Sequence, residues 1–279
     1  MKVINSILGS VFEMVMMPFR TLPMLGLVLI SAVVAVGMLL VFKRTSNQEQ
    51  LDAVKRRIHA CLFEIRLFND DIGAIMRAQL EILRHNMSYL RLQLVPLLFI
   101  LPPMILLLTQ LQPFYGYSGL EPGESALLQV TLNPDGELAG GVGFQVDEKP
   151  DVSLELPAGV RLDSPSVWVP SQGEMAWRVV ADQPGEHDLA VRVGSDTYSK
   201  SLVVSEEAIR RSPMRVTSFF DQFLYPVEKP LAKDGPISTI ELTYPEDPYF
   251  LLMPKWMWIF FVLTIVFAFA LRKPMGVTI

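Results

Sequence analysis

The residues that could support catalysis or metal binding are few and far apart. Cys61 is the single cysteine, so the chain can form no internal disulfide and no cysteine-rich metal site. The histidines His59, His85 and His187 are too scattered to replace such a cluster. His187 precedes Asp188 as in half of a catalytic dyad, but no Gly-x-Ser-x-Gly or other nucleophile motif accompanies the pair. We therefore predict a non-enzymatic protein with no metal site and no cofactor.

Polar side chains inside long apolar segments form a second group of candidates. Ser31, Thr109, Gln110 and Thr264 could line a hydrophilic groove within a membrane. A third group is the basic run Lys55-Arg56-Arg57, which could contact phosphate or an acidic surface. The same run could instead only enforce membrane topology or touch anionic lipid.

These candidates lie in a chain with the composition of a membrane protein. It has 279 residues, of which 51% are hydrophobic and 19% charged, which is too apolar for an ordinary soluble globule. Three apolar segments, 22–43, 92–112 and 251–272, are each long enough to cross a hydrocarbon core of about 30 Å. The sequence thus predicts a multi-domain membrane protein with three transmembrane α-helices.

The charges are distributed unevenly along the chain. Residues 43–91 carry 9 Lys/Arg against 6 Asp/Glu, whereas residues 113–250 carry 10 against 22. Because basic loops stay on the cytoplasmic side of a membrane, we expect 44–91 and the tail 273–279 in the cytoplasm. The N-terminus and 113–250 would then lie outside, in a protein of the inner (cytoplasmic) membrane.

The first 21 residues predict an interfacial amphipathic helix. Asn5, Ser6, Gly9, Ser10 and Glu13 cluster on one side of a helical wheel, and the other side is apolar. Glu13 and the lack of an Ala-x-Ala site argue against a cleaved signal peptide.

Residues 44–91 predict a cytoplasmic coiled-coil hairpin with arms at 47–68 and 74–91. On the first arm and the turn, apolar residues recur at steps of three and four: Leu51, Val54, Ile58, Cys61, Ile65, Phe68, Ile72 and Ile75. On the second arm, Met76, Leu80, Leu83, Met87, Leu90 and Leu94 form a stripe that we expect to pack on the first arm. The hairpin could serve only for oligomerisation. Alternatively it touches a ribosome, a client chain or a partner subunit, with Lys55, Arg56, Arg57, Leu83 and Met87 as the candidate contacts.

Residues 113–205 predict an extracytoplasmic, all-β immunoglobulin-like sandwich. Short alternating segments separated by turn residues occur at 126–132, 137–146, 152–156, 166–169, 175–180, 187–193 and 197–204. Trp168 and Trp177 are expected in its core. Residues 206–250 would be an interfacial connector with a short helix near Phe219 and one further strand at 237–244.

The order of these parts resembles the three-span core of the YidC/Oxa insertase superfamily, over about 1–112 and 251–279. The matching parts are the amphipathic segment 3–19, the hairpin 47–91 and a proline-containing second span with Val95-Pro96-Leu97-Leu98 and Leu101-Pro102-Pro103-Met104. Bacterial members of that family carry a positive charge in an intramembrane groove, whereas no predicted span here carries a charge in its apolar run. The β domain would be an insertion between the second and third spans.

The resemblance implies a membrane-protein biogenesis factor, either an insertase-like protein or a membrane chaperone. Its hairpin would receive client segments and a shallow groove between spans one and two would ease them into the bilayer. The alternative is a non-enzymatic scaffold, a complex subunit that displays the immunoglobulin-like domain outside the cytoplasm. The expected partners are the lipid bilayer and either client membrane proteins or a partner membrane subunit. A ribosome contact stays open, and no specific nucleic acid or small-molecule substrate is expected.

Overall fold

The computed structural model describes residues 2–68, 70–133, 150–246 and 248–277. The predicted strand 137–146 and the end of the predicted tail 273–279 lie outside these residues. The chain divides into two compact units. The helical unit contains residues 27–107 and those from 257 onward, and the β unit contains the residues up to 26 together with 108–256.

The described residues form six α-helices, and two of them, α3 and α4, begin at a side-chain cap. They are α1 (Lys2–Met16), α2 (Pro23–Thr45), α3 (Gln48–Leu67), α4 (Ile72–Tyr115), α5 (Phe219–Leu224) and α6 (Lys255–Leu271), with a 3-10 helix Met17–Phe19 after α1. The Asn47 side chain accepts a hydrogen bond from the Gln50 amide at 3.1 Å at the start of α3. Asp71 does the same for α4, since its Oδ1 accepts from the amides of Gly73 and Ala74. Both contacts satisfy amides that a helix leaves unpaired at its first turn.

Two of these helices, α2 and α4, are long and apolar enough to cross a membrane. The predicted second hairpin arm and second span are one continuous helix, because α4 has 44 residues and is about 66 Å long at 1.5 Å per residue. The predicted third span coincides with α6, an apolar helix of 17 residues. That length is slightly below the roughly 20 residues that span a bilayer without help from flanking residues.

Helices α3 and α4 form the antiparallel hairpin that the sequence predicts. The Cys61 thiol of α3 donates to the Glu81 carboxylate of α4 at 3.7 Å, and the Lys55 ammonium lies 5.6 Å from the centre of the Tyr89 ring. Residues early in α3 therefore face residues late in the hairpin part of α4.

The seam between the two arms agrees with the predicted one on α3 and differs on α4. Leu51 and Cys61 are buried, and the seam residues between and after them are half-buried, whereas Phe68 and Ile72 are exposed. On α4 the buried side chains are those of Ala74 and Ala78. The inner face of α4 at the hairpin tip is thus made of small residues.

The β unit contains two antiparallel sheets and a small hairpin. Its strands are β1 (Ser125–Leu132), β2 (Val152–Glu155), β3 (Val160–Leu162), β4 (Val167–Val169), β5 (Glu174–Ala181), β6 (Gly185–Val193), β7 (Asp196–Val204), β8 (Met214–Val216), β9 (Ile237–Leu242), β10 (Tyr249–Phe250) and β11 (Met253–Pro254). One sheet has the order β3-β5-β1-β9-β8, with β4 also paired to β5, and the other has the order β2-β6-β7. Strands β10 and β11 pair with each other.

Both sheets contribute to one hydrophobic core. Side chains of β1 and β5, such as Leu128 and Trp177, belong to the same buried cluster as Val191 of β6 and Leu202 of β7. Trp168 packs against this cluster and is partly buried, so both tryptophans have the expected core role. Six of the seven predicted strands match strands of the structure, and the seventh lies outside the described residues.

The β-sheet region continues beyond residue 205, where the sequence places the start of a connector. Strands β8 and β9 come from the predicted connector, and β9 pairs with β1 in the middle of the larger sheet. The Val203 amide of β7 also donates to the Tyr244 hydroxyl at 2.9 Å. Residues 206–250 therefore complete the β unit as well as leading the chain to α6. The predicted short helix is present as α5.

Candidate functional site

An apolar stripe on the outer face of α4 is the most distinctive surface of the helical unit. We call it the α4 stripe; it consists of Met76, Leu80, Leu83, Met87, Leu90 and Leu94, each of which is between 50% and 63% exposed. The prediction that this stripe packs on the first arm is wrong. Ala74 and Ala78 face inward instead, so the larger Leu and Met side chains point away from α3.

The stripe places two predicted contact residues, Leu83 and Met87, on the surface. Beyond Leu94 the same helix remains outwardly apolar, because Leu97, Leu98 and Phe99 are also exposed. An apolar surface on this scale is unusual for a soluble protein and marks a site for a protein or lipid partner. The two methionines add side chains that adapt easily to differently shaped apolar partners.

The basic run on α3 does not act as one patch. Lys55 extends over the Tyr89 ring at 5.6 Å, in cation–π geometry. Arg56 is exposed. Arg57 lines a cleft of about 390 Å³ between α3 and α4, together with Arg91 and Ser88 on the opposite wall. The structure therefore separates the three predicted contact residues and pairs one of them with an arginine that the sequence did not single out.

A groove lies between α2 and α4 at the level of their apolar segments. Its volume is about 220 Å³, and its walls are Val34, Gly37, Met38 and Val41 from α2 and Ile100, Pro103, Met104 and Leu107 from α4. Gly37 leaves one wall open, since a Cβ atom built there would have nothing within 4 Å. A groove between these two segments was expected, but its lining is apolar.

The four polar residues predicted for the groove do not line it. The Ser31 hydroxyl donates to the Leu27 carbonyl at 2.7 Å, and the Thr264 hydroxyl donates to the Phe260 carbonyl at 2.7 Å. Each hydroxyl is therefore satisfied within its own helix. Thr109 and Gln110 are buried and belong to the β unit. The structure thus gives no polar groove built from these four side chains.

One cluster of metal-ligating residue types is brought together by the hairpin. The ligand atoms of Cys61, Glu81 and His85 all lie within 4.8 Å of one another. Glu81 and His85 are one turn apart on α4, and Cys61 faces them from α3. Cys, His and carboxylate ligands of this kind could hold a zinc ion with one position left for water. No sequence pattern points to this grouping, because it depends on the register in which the two arms pair.

The fold and these surfaces define a protein with two apolar helices fit for a membrane, an exposed helical hairpin and a β-sheet-rich unit. Compared with models of known families and with curated proteins, the chain matches neither a family nor a curated sequence. The resemblance to the YidC/Oxa superfamily accordingly rests on the order of parts alone.

Proposed function

We propose that this chain is a membrane-protein biogenesis factor, insertase-like or a membrane chaperone, and that it performs no covalent chemistry. The observation that carries the proposal is the α4 stripe. It presents exposed Leu and Met side chains on the hairpin and continues without a break into the apolar part of the same helix. A client helix would pack on the stripe first and slide along α4 toward the bilayer.

The energetics of such a path favour an apolar client segment. Covering an exposed leucine or methionine stabilises a complex by about 25 cal/mol per Å² of apolar surface removed from water. Several stripe residues together would hold an apolar segment against aggregation while leaving it able to dissociate. The apolar groove between α2 and α4 would then receive the segment within the membrane by packing alone.

The topology that fits this function is the one expected from the charges. In it α2, α4 and α6 cross the inner membrane as three spans, with the N-terminus outside and the C-terminus and hairpin in the cytoplasm. The β unit would stand outside as an immunoglobulin-like module. Lys43 and Arg44 in the last turn of α2 support this orientation, since they would lie at its cytoplasmic end.

Photocrosslinking in living cells tests the proposal directly. A photoreactive amino acid at Leu83 lies on the stripe, and one at Asn86 lies on the same exposed stretch of α4 but off the stripe. We expect newly made membrane proteins to be captured from Leu83 and far less from Asn86. Equal capture at both positions, or capture of nothing but lipid, would argue against client binding.

A scaffold function is the second candidate, and the size of the β unit favours it. Two sheets with a shared core are more than a short loop between spans requires. Leu162 on β3 and Val167 on β4 are exposed apolar side chains of the larger sheet and could contact a partner subunit. Crosslinks to one stable partner from Leu162, with none to clients from Leu83, would favour the scaffold.

A further inference from the structure

A cavity in the β unit lies between α1 and the segment that follows α5. Its volume is about 500 Å³, within the range of small-ligand pockets. The wall on α1 is made of Asn5, Ser6, Ile7 and Ser10, and the facing wall includes Arg210, Gln222 and residues 226–230. The Asn5 side chain donates to the Gln222 carbonyl at 3.2 Å, which fixes α1 against α5 at the edge of the cavity.

Arg210 is the residue of this cavity that most needs a partner. Its Nε and Nη2 atoms are buried, and neither has a hydrogen-bond partner among the residues that the structure describes. The guanidinium lies directly over Gly9, where a Cβ atom would come within 2.4 Å of Nη1. Leaving charged donors buried and unpaired is costly, so such a group implies an acceptor other than the described residues.

The charges around the cavity favour an anion as that acceptor. Lys229 contributes a second cation to the lining. The lining carboxylate of Glu228 is already paired with the buried ammonium of Lys200 at 2.5 Å. Glu13 attracts Arg210 electrostatically, but its carboxylate accepts its ion-pair contact from Arg20 at 3.4 Å. Among the lining residues that the structure describes, Arg210 and Lys229 therefore remain for a ligand.

The surroundings of the cavity suggest where the anion comes from. Asn5 and Gly9 of α1 are buried, and the opposite face of α1 exposes Val11, Met14 and Val15. Phe219 and Phe220 of α5 are also exposed, the latter at 79%. Helices with such apolar faces lie in the head-group region of a bilayer, which is where phospholipid phosphates are found.

We propose that this cavity binds the phosphate group of an anionic phospholipid, with Arg210 as a bidentate donor and Lys229 as a second cation. A guanidinium fork matches two phosphate oxygens. Because Nε and Nη2 are covered in the ligand-free structure, binding would require the Arg210 side chain to turn from Gly9 toward the cavity and present these two nitrogens. Ser6 and Ser10 line the α1 wall of the cavity, where their hydroxyl groups could hydrogen-bond a glycerol head group. The binding is independent of whether clients use the α4 stripe.

Native mass spectrometry of the full-length protein in detergent tests the site. The protein is incubated with phosphatidylglycerol or with phosphatidylcholine, and bound lipid is counted for wild type, Arg210→Gln, Arg210→Lys and Arg192→Gln. Arg192 is the matched control, because it is an exposed arginine of the same unit and pairs with Glu155. Circular dichroism and thermal unfolding confirm that each variant folds; Arg210→Gln breaks no hydrogen bond that the described residues make.

We expect wild type and Arg192→Gln to retain phosphatidylglycerol equally and to prefer it over phosphatidylcholine. Arg210→Gln should lose at least about tenfold in retention, as expected for one charge-assisted contact. Arg210→Lys should retain an intermediate amount of phosphatidylglycerol, because lysine keeps the positive charge but cannot donate two parallel hydrogen bonds as a guanidinium does. Retention by Arg210→Gln equal to that of Arg192→Gln would overturn the lipid site.

A second arm separates lipid from soluble phosphate. Thermal unfolding is measured with inorganic phosphate and with glycerol phosphate for the same variants. In one outcome, soluble phosphate raises the unfolding temperature only when Arg210 is present, while lipid retention is the same with and without Arg210. That outcome would assign the site to a soluble phosphate ligand and overturn the lipid as its source. Dependence on Arg210 in the lipid arm alone supports the proposal as stated.

Discussion

The ammonium group of Lys200 lies 2.5 Å from the carboxylate of Glu228, and the lysine side chain is completely buried. Lys200 also donates to the Ser212 carbonyl at 2.5 Å, and Glu228 accepts from the Ser201 amide at 2.9 Å. The pair thereby ties β7 to the segment after α5, which is the same segment that lines the cavity beside α1. Lys200 and Glu228 are far apart in the chain, so no local sequence pattern predicts that they form a pair.

Breaking this pair should destabilise the β unit strongly. Glu228→Gln leaves the Lys200 charge buried without its carboxylate, and such losses cost about 3–5 kcal/mol. Glu155→Gln is the matched control, because it removes the same group from an exposed pair with Arg192 and should cost about 1 kcal/mol or less. Denaturant unfolding followed by tryptophan fluorescence, in a background with Trp256→Phe and Trp258→Phe so that only the β-sheet tryptophans report, measures both. Equal effects of the two substitutions would show that the buried pair contributes no more than a surface one.

The same pair predicts a loss of stability in acid. Burial alone would raise the pKa of Glu228, but the Lys200 ammonium and the hydrogen bonds from Ser212 and Ser201 hold that pKa below its ordinary value of 4.5. The unfolded chain therefore binds a proton more readily, and Glu228 contributes stability at neutral pH that disappears as the pH falls below 4.5. The difference in free energy of unfolding between wild type and Glu228→Gln should therefore become smaller as the pH falls below 4.5. A gap that stays constant from pH 7 to about pH 3 would contradict this account.

Charging the α4 stripe should abolish client capture while leaving the fold intact. Leu83 and Met87 are exposed, so Leu83→Asp with Met87→Asp should lower the free energy of unfolding by about 1 kcal/mol or less in total. Two carboxylates would nevertheless repel an apolar client segment. Asn86→Asp with Ser88→Asp is the control, since it adds the same charge at exposed positions farther around the helix from the stripe. Photocrosslinking from Leu90 should then lose most client adducts in the first variant and keep them in the second.

The topology can be measured with single cysteines in a Cys61→Ser background, because Cys61 is the only native thiol. A membrane-impermeant maleimide should label Ser195→Cys in intact cells, and Arg56→Cys and Lys273→Cys only after permeabilisation. Lys273 follows α6, so its labelling decides whether this 17-residue helix crosses the membrane. Labelling of Lys273→Cys in intact cells would leave α2 and α4 as the membrane-crossing helices and α6 outside.

Sequence patterns predicted the helices and most strands of this protein well. The heptad spacing of Leu51 to Ile65 identified the inner face of α3, and period-two alternation identified β1, β5, β6 and β7. These patterns are local, because each depends on side chains a few residues apart. The apolar run of 92–111 likewise located a membrane-type helix, although its continuity with the hairpin arm became visible only in the structure.

Features that depend on pairing between distant segments escaped the sequence analysis. The stripe from Met76 to Leu94 has a regular apolar spacing that predicts burial, yet Ala74 and Ala78 occupy the inner face. Hydrophobicity alone ranks leucine above alanine as an inner residue, whereas the buried positions of α4 at the hairpin tip are the two alanines. The pairing of β9 with β1, the Cys61–Glu81–His85 cluster and the Arg210 cavity are equally non-local. Most of the candidate functional surfaces therefore come from tertiary structure.

Filling the groove between α2 and α4 should block its use without unfolding the helical unit. Gly37→Leu extends a side chain from a position with no atom within 4 Å of the new Cβ, so it occupies the groove without a clash at that atom. Removing a mid-helix glycine also favours α2 by up to about 1 kcal/mol. Gly37→Ala is the control, because it gains the same helix preference and leaves the groove open. Client crosslinks from a photoreactive residue at Met104 should fall severalfold in Gly37→Leu and persist in Gly37→Ala. Both variants should be at least as stable as wild type. Undiminished crosslinks in Gly37→Leu would mean that clients enter the membrane by another face of α4.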